Sequence, residues 1–286
     1  MTSTPTPKIA LSIAGSDPSG GAGIQADLKT FTALGVYGAA ALAGLTVQNT
    51  QGVRAARPID PAFVRDQILA VLDDLPVAAT KLGMLANAEV ANAVADVLEE
   101  RRDDAGLIIL DPVMIATSGD ALLTDDAVEV VRRRLVPLAD VVTPNVPEAA
   151  VLLGQPLVTD TNGLIRQARQ LVEAGARAVL AKGGHLTGTE LTDVFAHGDE
   201  LALLTGPRVA TRHTHGTGCT LSSAIAAVAA RRGDTRRTGV RLESVEEARD
   251  YLMRALESGA HWRLSRTPDQ GHGPVNHLVG RVESWL

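Results

Sequence analysis

Short apolar runs and longer amphipathic runs alternate along this chain of 286 residues. The first, IALSIAG at 9–15, carries no charge and has the length of a buried strand. It enters a glycine-rich turn, and Ile24–Leu34 then reads as a helix. YGAAALAGLTVQ (37–48) is mostly small and apolar and predicts a second strand with its approach. Pro61–Leu75 shows helical spacing through Phe63, Ile68, Leu69 and Leu72, with Asp60 placed to cap it. AATKLGML (78–85) predicts a short strand ending in a turn, and Asn87–Arg102 a helix capped by Asn87. GLIILDPVM (106–114) is the clearest buried strand.

The alternation continues through the second half. Thr124–Leu135 predicts a helix, ADVVTPN (139–145) a strand, and Val146–Leu153 and Asn162–Ala174 two more helices. ARAVLAKGG (176–184) is a strand entering a glycine turn, and 190–209 a hairpin turning at His197–Asp199. A glycine turn at 216–218, a long helix of small residues and a charged helix through residue 263 complete the pattern. Strands and helices in short-linked alternation predict an α/β chain whose mostly parallel sheet is covered on both faces. No internal repeat or linker interrupts it, so residues 1–286 read as one domain, with 1–7 flexible and the polar stretch Arg231–Glu247 a surface excursion. Ligands in such sheets sit beyond the carboxyl ends of the strands.

One stretch needs separate treatment. No charge occurs between Lys29 and Arg54, but its apolar part, Ala33–Val47, is short for a membrane span and contains glycines. It runs on into Gln48, Asn49, Thr50 and Gln51, which predicts a buried strand followed by an uncharged loop. Composition narrows the partners. Charged residues make up 21% and aromatics only 2%, so the chain is globular and stacking is not its main grip on a ligand. A net charge of −6 disfavours nucleic acid and points to small partners. The single cysteine excludes an internal disulfide and a cysteine-rich zinc cluster and suits a reducing compartment. MTSTPTPK has no apolar run of the kind a signal peptide needs, so a cytoplasmic protein without a membrane anchor is expected.

Two glycine turns carry the candidate chemistry. GAGIQA (21–26) fits the loose dinucleotide fingerprint, yet the later stretch LTVQNTQGV (45–53) lacks the acidic residue that reading requires. The alternatives are a ligand loop and a strand-to-helix turn that uses glycine for steric reasons. THGTGCTLSSAIAAVAA (214–230) says more: Gly216, Thr217 and Gly218 precede a helix whose free N–H groups and dipole favour an anion. Cys219 opens that helix; a lone cysteine is often a small buried hydrophobe, but beside an anion site it is expected to be a partial thiolate. Asp111, Asn145, Glu148 and Lys182 follow predicted strands and suit a magnesium–triphosphate site, with Asp111 and Glu148 as metal ligands, directly or through water. His213, His215, His272 and His277 match no common metal spacing and are assigned surface or supporting roles.

The motifs AGSDPSGGAGIQADLKT, VQNT, GML, DPVM, TPNVPEA, KGGH and HGTGCT, in this order, resemble those of the hydroxymethylpyrimidine/phosphomethylpyrimidine kinases of thiamine biosynthesis. The resemblance runs over nearly the whole chain. It implies a three-layer α/β/α ribokinase-like fold, ATP and Mg²⁺, a homodimer, and two successive phosphoryl transfers to a hydroxymethylpyrimidine. It implies that Cys219 and Lys182 are catalytic, with Gly216, Thr217 and Gly218 as the anion hole. It also implies that Gln48, Asp27, Ala22, Met84 and Val113 contact the pyrimidine, placing the opening turn on the acceptor side. Leu82, His213 and the length of 231–247 depart from the family pattern. Rival readings are a pyridoxal or dual-specificity kinase of the same superfamily, a nicotinamide-dependent oxidoreductase, and a non-catalytic pyrimidine-binding module.

Overall fold

A computed structural model describes residues 6–114, 124–267 and 269–279. Its centre is β1 (Ile9–Gly15), buried at every position as its uncharged sequence requires. The strand pairs in parallel with β2 (Tyr37–Asn49) on one side and β4 (Val77–Leu82) on the other. Beyond β4 come β5 (Leu107–Leu110), β6 (Val141–Val142) and β7 (Ala178–Ala181), all parallel. Antiparallel strands close both edges: β3 (Gly52–Pro58) beside β2, and the hairpin β8 (Glu190–His197) and β9 (Glu200–Pro207) beside β7. The nine-stranded order is β3-β2-β1-β4-β5-β6-β7-β8-β9.

Two cores sit on the two faces of this sheet. On one face Phe31 of α1 (Gly23–Ala33), Ile225 of α8 (Thr217–Arg232) and Tyr251 of α9 (Leu242–Gly259) pack against Ala10, Leu107 and Ile109. On the other face lie α2 (Pro61–Asp74), α3 (Ala88–Glu100), α6 (Val146–Leu153) and α7 (Thr161–Glu173), through residues such as Ile68, Val94, Val146 and Leu164. Between α3 and α6, α4 (Asp125–Val130) passes through a π-helical turn (Val131–Leu135) into α5 (Val136–Leu138). Asp60 and Asn87 cap α2 and α3 through their side chains, as their sequence positions predict. The α/β/α expectation holds. Among the described residues, no helix is long and apolar enough to cross a membrane.

Three local expectations change. The uncharged β2 is not a buried strand: Tyr37, Leu45 and Val47 are exposed because only the edge strand β3 lies beyond it. Gln48 lies in β2 as the 37–48 strand reading has it, Asn49 extends that strand instead of opening a loop, and β3 follows after a tight turn. The polar stretch 231–247 is less an excursion than expected. The segment between α8 and α9 is tied down by buried Asp234, which accepts from Arg241 and from Ser244 Oγ at 2.7 Å. Arg177 also donates to the carbonyls of Arg236 and Arg237. Arg177 precedes β7, so this segment lies at the amino ends of the strands.

The site is at the other end. The chain leaves β1 to one side for β2, then returns through β3 and α2 to β4 on the opposite side. Such a reversal leaves a crevice beyond the carboxyl ends of the strands, the usual ligand position in an open parallel sheet.

Candidate active site

A cavity of about 600 Å³ occupies this crevice, lined by residues that follow β1, β4, β5, β6 and β7. Its centre is the start of α8. Gly216 has φ 81° and is the N-cap of this helix, with no side chain capping it. Leading N–H groups of a helix have no partner of their own within the helix. Thr217 N–H turns back to the Thr214 carbonyl at 3.3 Å, so the following turn, at Gly218 and Cys219, carries the anion-binding potential. Gly218 lies against the charges of the site: a methyl group there would come within 3.3 Å of both Asp111 Oδ2 and Lys182 Nζ.

Lys182 Nζ donates to Asp111 Oδ1 at 2.9 Å and lies 3.7 Å from Glu148. Asp111 also accepts from Thr143 Oγ1 at 3.2 Å and Ser222 Oγ at 3.3 Å. Asn145 and Glu148 form a capping box at the start of α6: Glu148 accepts from Asn145 N–H, and Asn145 Oδ1 from Glu148 N–H. Thus both residues line the cavity while also fixing a helix end. Burial pushes Glu148 up to about 7, with Lys182 opposing and Asp111 reinforcing the rise. Burial alone would lower Lys182; Asp111 and Glu148 more than offset it, so Lys182 is held firmly cationic.

Cys219 differs from its sequence expectation. Burial raises its thiol to about 11; Lys81 opposes the rise, while Asp27 and Asp111 add to it. Its resting form is therefore a thiol, not a partial thiolate. The helix dipole is present, but burial and the Asp27 and Asp111 charges outweigh it and Lys81.

The opening turn lines another part of the cavity, where the resemblance leads one to expect the acceptor. Asp17 bends its carboxylate back onto that turn and accepts from the N–H groups of Ser19, Gly21 and Ala22. Those donors are consumed internally, so the turn is not a phosphate cradle. Asp17 Oδ2 also lies 2.7 Å from His215 Nε2, which is 3.4 Å from the Gln48 amide. Burial would raise Asp17, but hydrogen bonds from His215 and Ser19 hold it below the usual value. Ala22, Gln48, Met84 and Val113 reach the cavity as expected. Asp27 does not: it is fully buried and its oxygens are taken by Lys81, Ser12 and Ser223. A direct contact between Asp27 and a substrate in the cavity is therefore corrected. The cavity is lined as well by Leu252, Met253 and Leu256 of α9 and by Pro207 and Val209, with Arg208 and Arg249 beside them in sequence.

Comparison with known proteins gives this geometry a family. The family described as phosphomethylpyrimidine kinase matches residues 17–276. The chain belongs to the phosphomethylpyrimidine kinase family. It is 50% identical over 271 residues to a hydroxymethylpyrimidine/phosphomethylpyrimidine kinase of Rhizobium meliloti, covering 94% of this chain and 97% of the relative. The crystal structure of phosphomethylpyrimidine kinase from Clostridium difficile is similar with a TM-score of 0.74 and 36% identity, covering 87% of this chain and 99% of that one. The pyridoxal kinase from Staphylococcus aureus in complex with AMP-PCP and pyridoxal superposes with a TM-score of 0.83 at 30% identity, covering 96% and 94%.

Within this phosphomethylpyrimidine kinase framework, Gly216, Thr217, Gly218, Cys219, Lys182, Asp111, Asn145 and Glu148 converge on one cavity with Ala22, Gln48, Met84 and Val113. His215 takes the supporting role and not the surface one: its buried ring joins Asp17 to Gln48. Sequence reasoning missed two further supports. Asp193 accepts from Gly183 N–H at 2.8 Å and pairs with Arg249 at 2.8 Å, pinning the turn after Lys182 to β8 and α9. Lys81, inside AATKLGML, has no exposed surface. A lysine within an otherwise apolar strand was the available signal for it.

Proposed function

We propose that this chain transfers the γ-phosphoryl group of ATP to the hydroxymethyl oxygen of 4-amino-5-hydroxymethyl-2-methylpyrimidine, and then a second phosphoryl group to the monophosphate. The diphosphate product serves thiamine diphosphate biosynthesis. One observation carries the reading: the uncapped start of α8, with Cys219 on its first turn, lines the same cavity as Gln48, Met84 and Val113 and as the Asp111–Lys182 pair. An acceptor ring against those three residues directs its hydroxymethyl arm at the helix end. Gln48 has both donor and acceptor capacity for the ring edge, and Met84 and Val113 supply apolar walls.

The acceptor oxygen bonds to the γ-phosphorus while the bond to the β–γ bridging oxygen breaks and ADP leaves. The hydroxyl proton passes to a phosphoryl oxygen or to water. A loose transfer needs little base strength, which suits a Cys219 thiol that orients the oxygen. Lys182 and the leading N–H groups of α8 offset charge on the transferring group. Asp111 and Glu148 are buried carboxylates on the cavity wall, with hard oxygen donors of the kind magnesium takes; they would hold it directly or through water. Such an ion would neutralise charge between phosphates.

ATP as donor is supported by the AMP-PCP complex of the S. aureus relative, and the apolar lining of Leu252, Met253 and Leu256 suits a nucleotide base. The reading extends to one ribokinase-like domain acting in the cytoplasm as a homodimer. A second reading, pyridoxal phosphorylation, draws on the TM-score of 0.83 to a pyridoxal kinase. A coupled ADP-release assay with Mg·ATP separates them. Turnover with the pyrimidine and its monophosphate, and little with pyridoxal, is expected. Turnover with pyridoxal alone would replace the acceptor assignment, and none with any acceptor would remove the kinase reading.

A further inference from the structure

The helix that carries the anion turn begins without the usual brace. Gly216, its N-cap, has φ 81°, and no side chain caps it. The Gly216 carbonyl is held from one turn further along: Thr220 N–H donates to it at 2.8 Å, and the Thr220 hydroxyl donates at 2.7 Å. A threonine hydroxyl that bonds back to the carbonyl four residues earlier tends to bend a helix rather than brace it. Here the hydroxyl has a second partner. His277 Nε2, in the short turn His277–Val279, lies 3.0 Å from Thr220 Oγ1.

Donor and acceptor follow from the proton count. A hydroxyl has one proton, and that of Thr220 is spent on the Gly216 carbonyl. Toward His277 the oxygen is therefore an acceptor, so His277 carries its proton on Nε2 and donates. Burial, with Lys29 and His215 adding to it, pushes His277 down to about 4, so the ring is neutral at neutral pH and has this single N–H. The result is a directed chain, His277 N–H to Thr220 O–H to Gly216 C=O, with both side chains buried. Each donor in such a chain strengthens the next. His277 is itself anchored: Tyr251 of α9 donates to its carbonyl at 2.8 Å, and Asn276 N–H donates to the Ala255 carbonyl at 3.0 Å.

We propose that His277 is a positioning residue for the phosphoryl transfer: through the Thr220 hydroxyl it fixes the Gly216 carbonyl, and so holds the turn that aims the leading N–H groups of α8 at the transferring group. This rests on the kinase reading, in which those N–H groups offset phosphoryl charge. Glycine at a positive φ has no side chain to restrain its peptide, so a turn that must present N–H groups in one direction needs an outside hold. The segment before His277 already touches the entry of the turn, where His215 N–H donates to the Gly273 carbonyl at 3.1 Å. His277 extends that hold to the N-cap.

The test uses the full chain with His277→Leu, Thr220→Val, the two combined, and His277→Gln, whose amide still donates to Thr220. Tyr251→Phe is the control, because it loosens the His277 backbone and leaves the ring N–H in place. Hydrogen–deuterium exchange at the start of α8 needs no substrate. Exchange of the Thr220 amide, which is bonded to the Gly216 carbonyl, should quicken by about tenfold in His277→Leu and Thr220→Val, the upper range of what one hydrogen bond contributes. His277→Gln and Tyr251→Phe should exchange near the unaltered rate. In ADP release with Mg·ATP and the hydroxymethylpyrimidine, kcat should fall by about tenfold in His277→Leu and Thr220→Val while the acceptor KM stays within about twofold. The double variant should lose no more than the stronger single one, and His277→Gln should recover turnover. A tail that only clamps the fold would lose kcat equally in Tyr251→Phe and would not be rescued by glutamine. Losses that add in the double variant, or faster exchange with kcat unmoved, would overturn the proposal alone. No turnover in the unaltered protein with any acceptor would overturn the kinase reading and the proposal with it.

Discussion

Replacing Gly216 with alanine tests the anion turn most sharply, because a matched control exists in the same helix. Gly216 begins α8 with φ 81° and Gly233 ends it with φ 73°. A methyl group on Gly216 would lie 1.8 Å from the Gly21 carbonyl oxygen, whereas one on Gly233 would meet nothing within 4 Å. Holding alanine in the left-handed region costs about 1–2 kcal/mol at either position. At Gly216 the collision with backbone adds about 1–3 kcal/mol of overpacking. Gly216→Ala should therefore lose about 2–5 kcal/mol and Gly233→Ala about 1–2 kcal/mol in urea denaturation. The collision also forces the two glycine turns apart. A displacement of about 1 Å at a reacting centre costs on the order of a hundredfold in rate. ADP release by Gly216→Ala should fall by that order, while Gly233→Ala keeps its turnover. Equal stability and equal turnover in the two variants would refute the contact between the opening loop and the anion turn.

Other consequences follow from the same geometry. Lys182→Met removes the cation beside Asp111 and should lower kcat/KM by about a hundred- to a thousandfold, read by ADP release; a change below threefold would contradict its role. Cys219→Ala should bind ATP as before by calorimetry while turnover falls. Undiminished turnover would remove Cys219 from the reaction. Asp17 is held below its ordinary value, so its contribution to stability is complete above the unfolded value of 3.8 and is lost as pH falls through the lower folded value. The stability gap between the unaltered protein and Asp17→Asn should thus be constant at neutral pH and close in acid; denaturation between about pH 2 and 7 checks this, and a gap that widens in acid would contradict the buried contact with His215.

Much of the layer architecture was legible because the parallel strands are short, uncharged and separated by helices with their own caps. β1, α6 and the β8–β9 hairpin follow their sequence patterns closely. β3 was not legible: GVRAARP is an exposed edge strand, so no burial pattern marks it, and its arginines and proline argue against a strand. At the site, residues just after strands could be read from position, since the topology sends those ends to one crevice. What could not be read was which donors are already spent. The opening turn looks like an anion loop until Asp17 is seen to occupy its N–H groups. Asp27 passes for a ligand contact until Lys81, 54 positions later, closes on it. Cys219 looks activated until its burial, and then the carboxylates near it, are counted. The last two depend on tertiary pairing between residues remote in sequence; the first depends on how a local turn folds back on its own carboxylate.

Phosphorus NMR of a reaction containing the hydroxymethylpyrimidine and excess Mg·ATP tests the central claim most directly. The account predicts a monophosphate ester signal that rises first and then gives way to a coupled pair from the diphosphate. Failure to form any pyrimidine ester, while pyridoxal is phosphorylated under the same conditions, would contradict it.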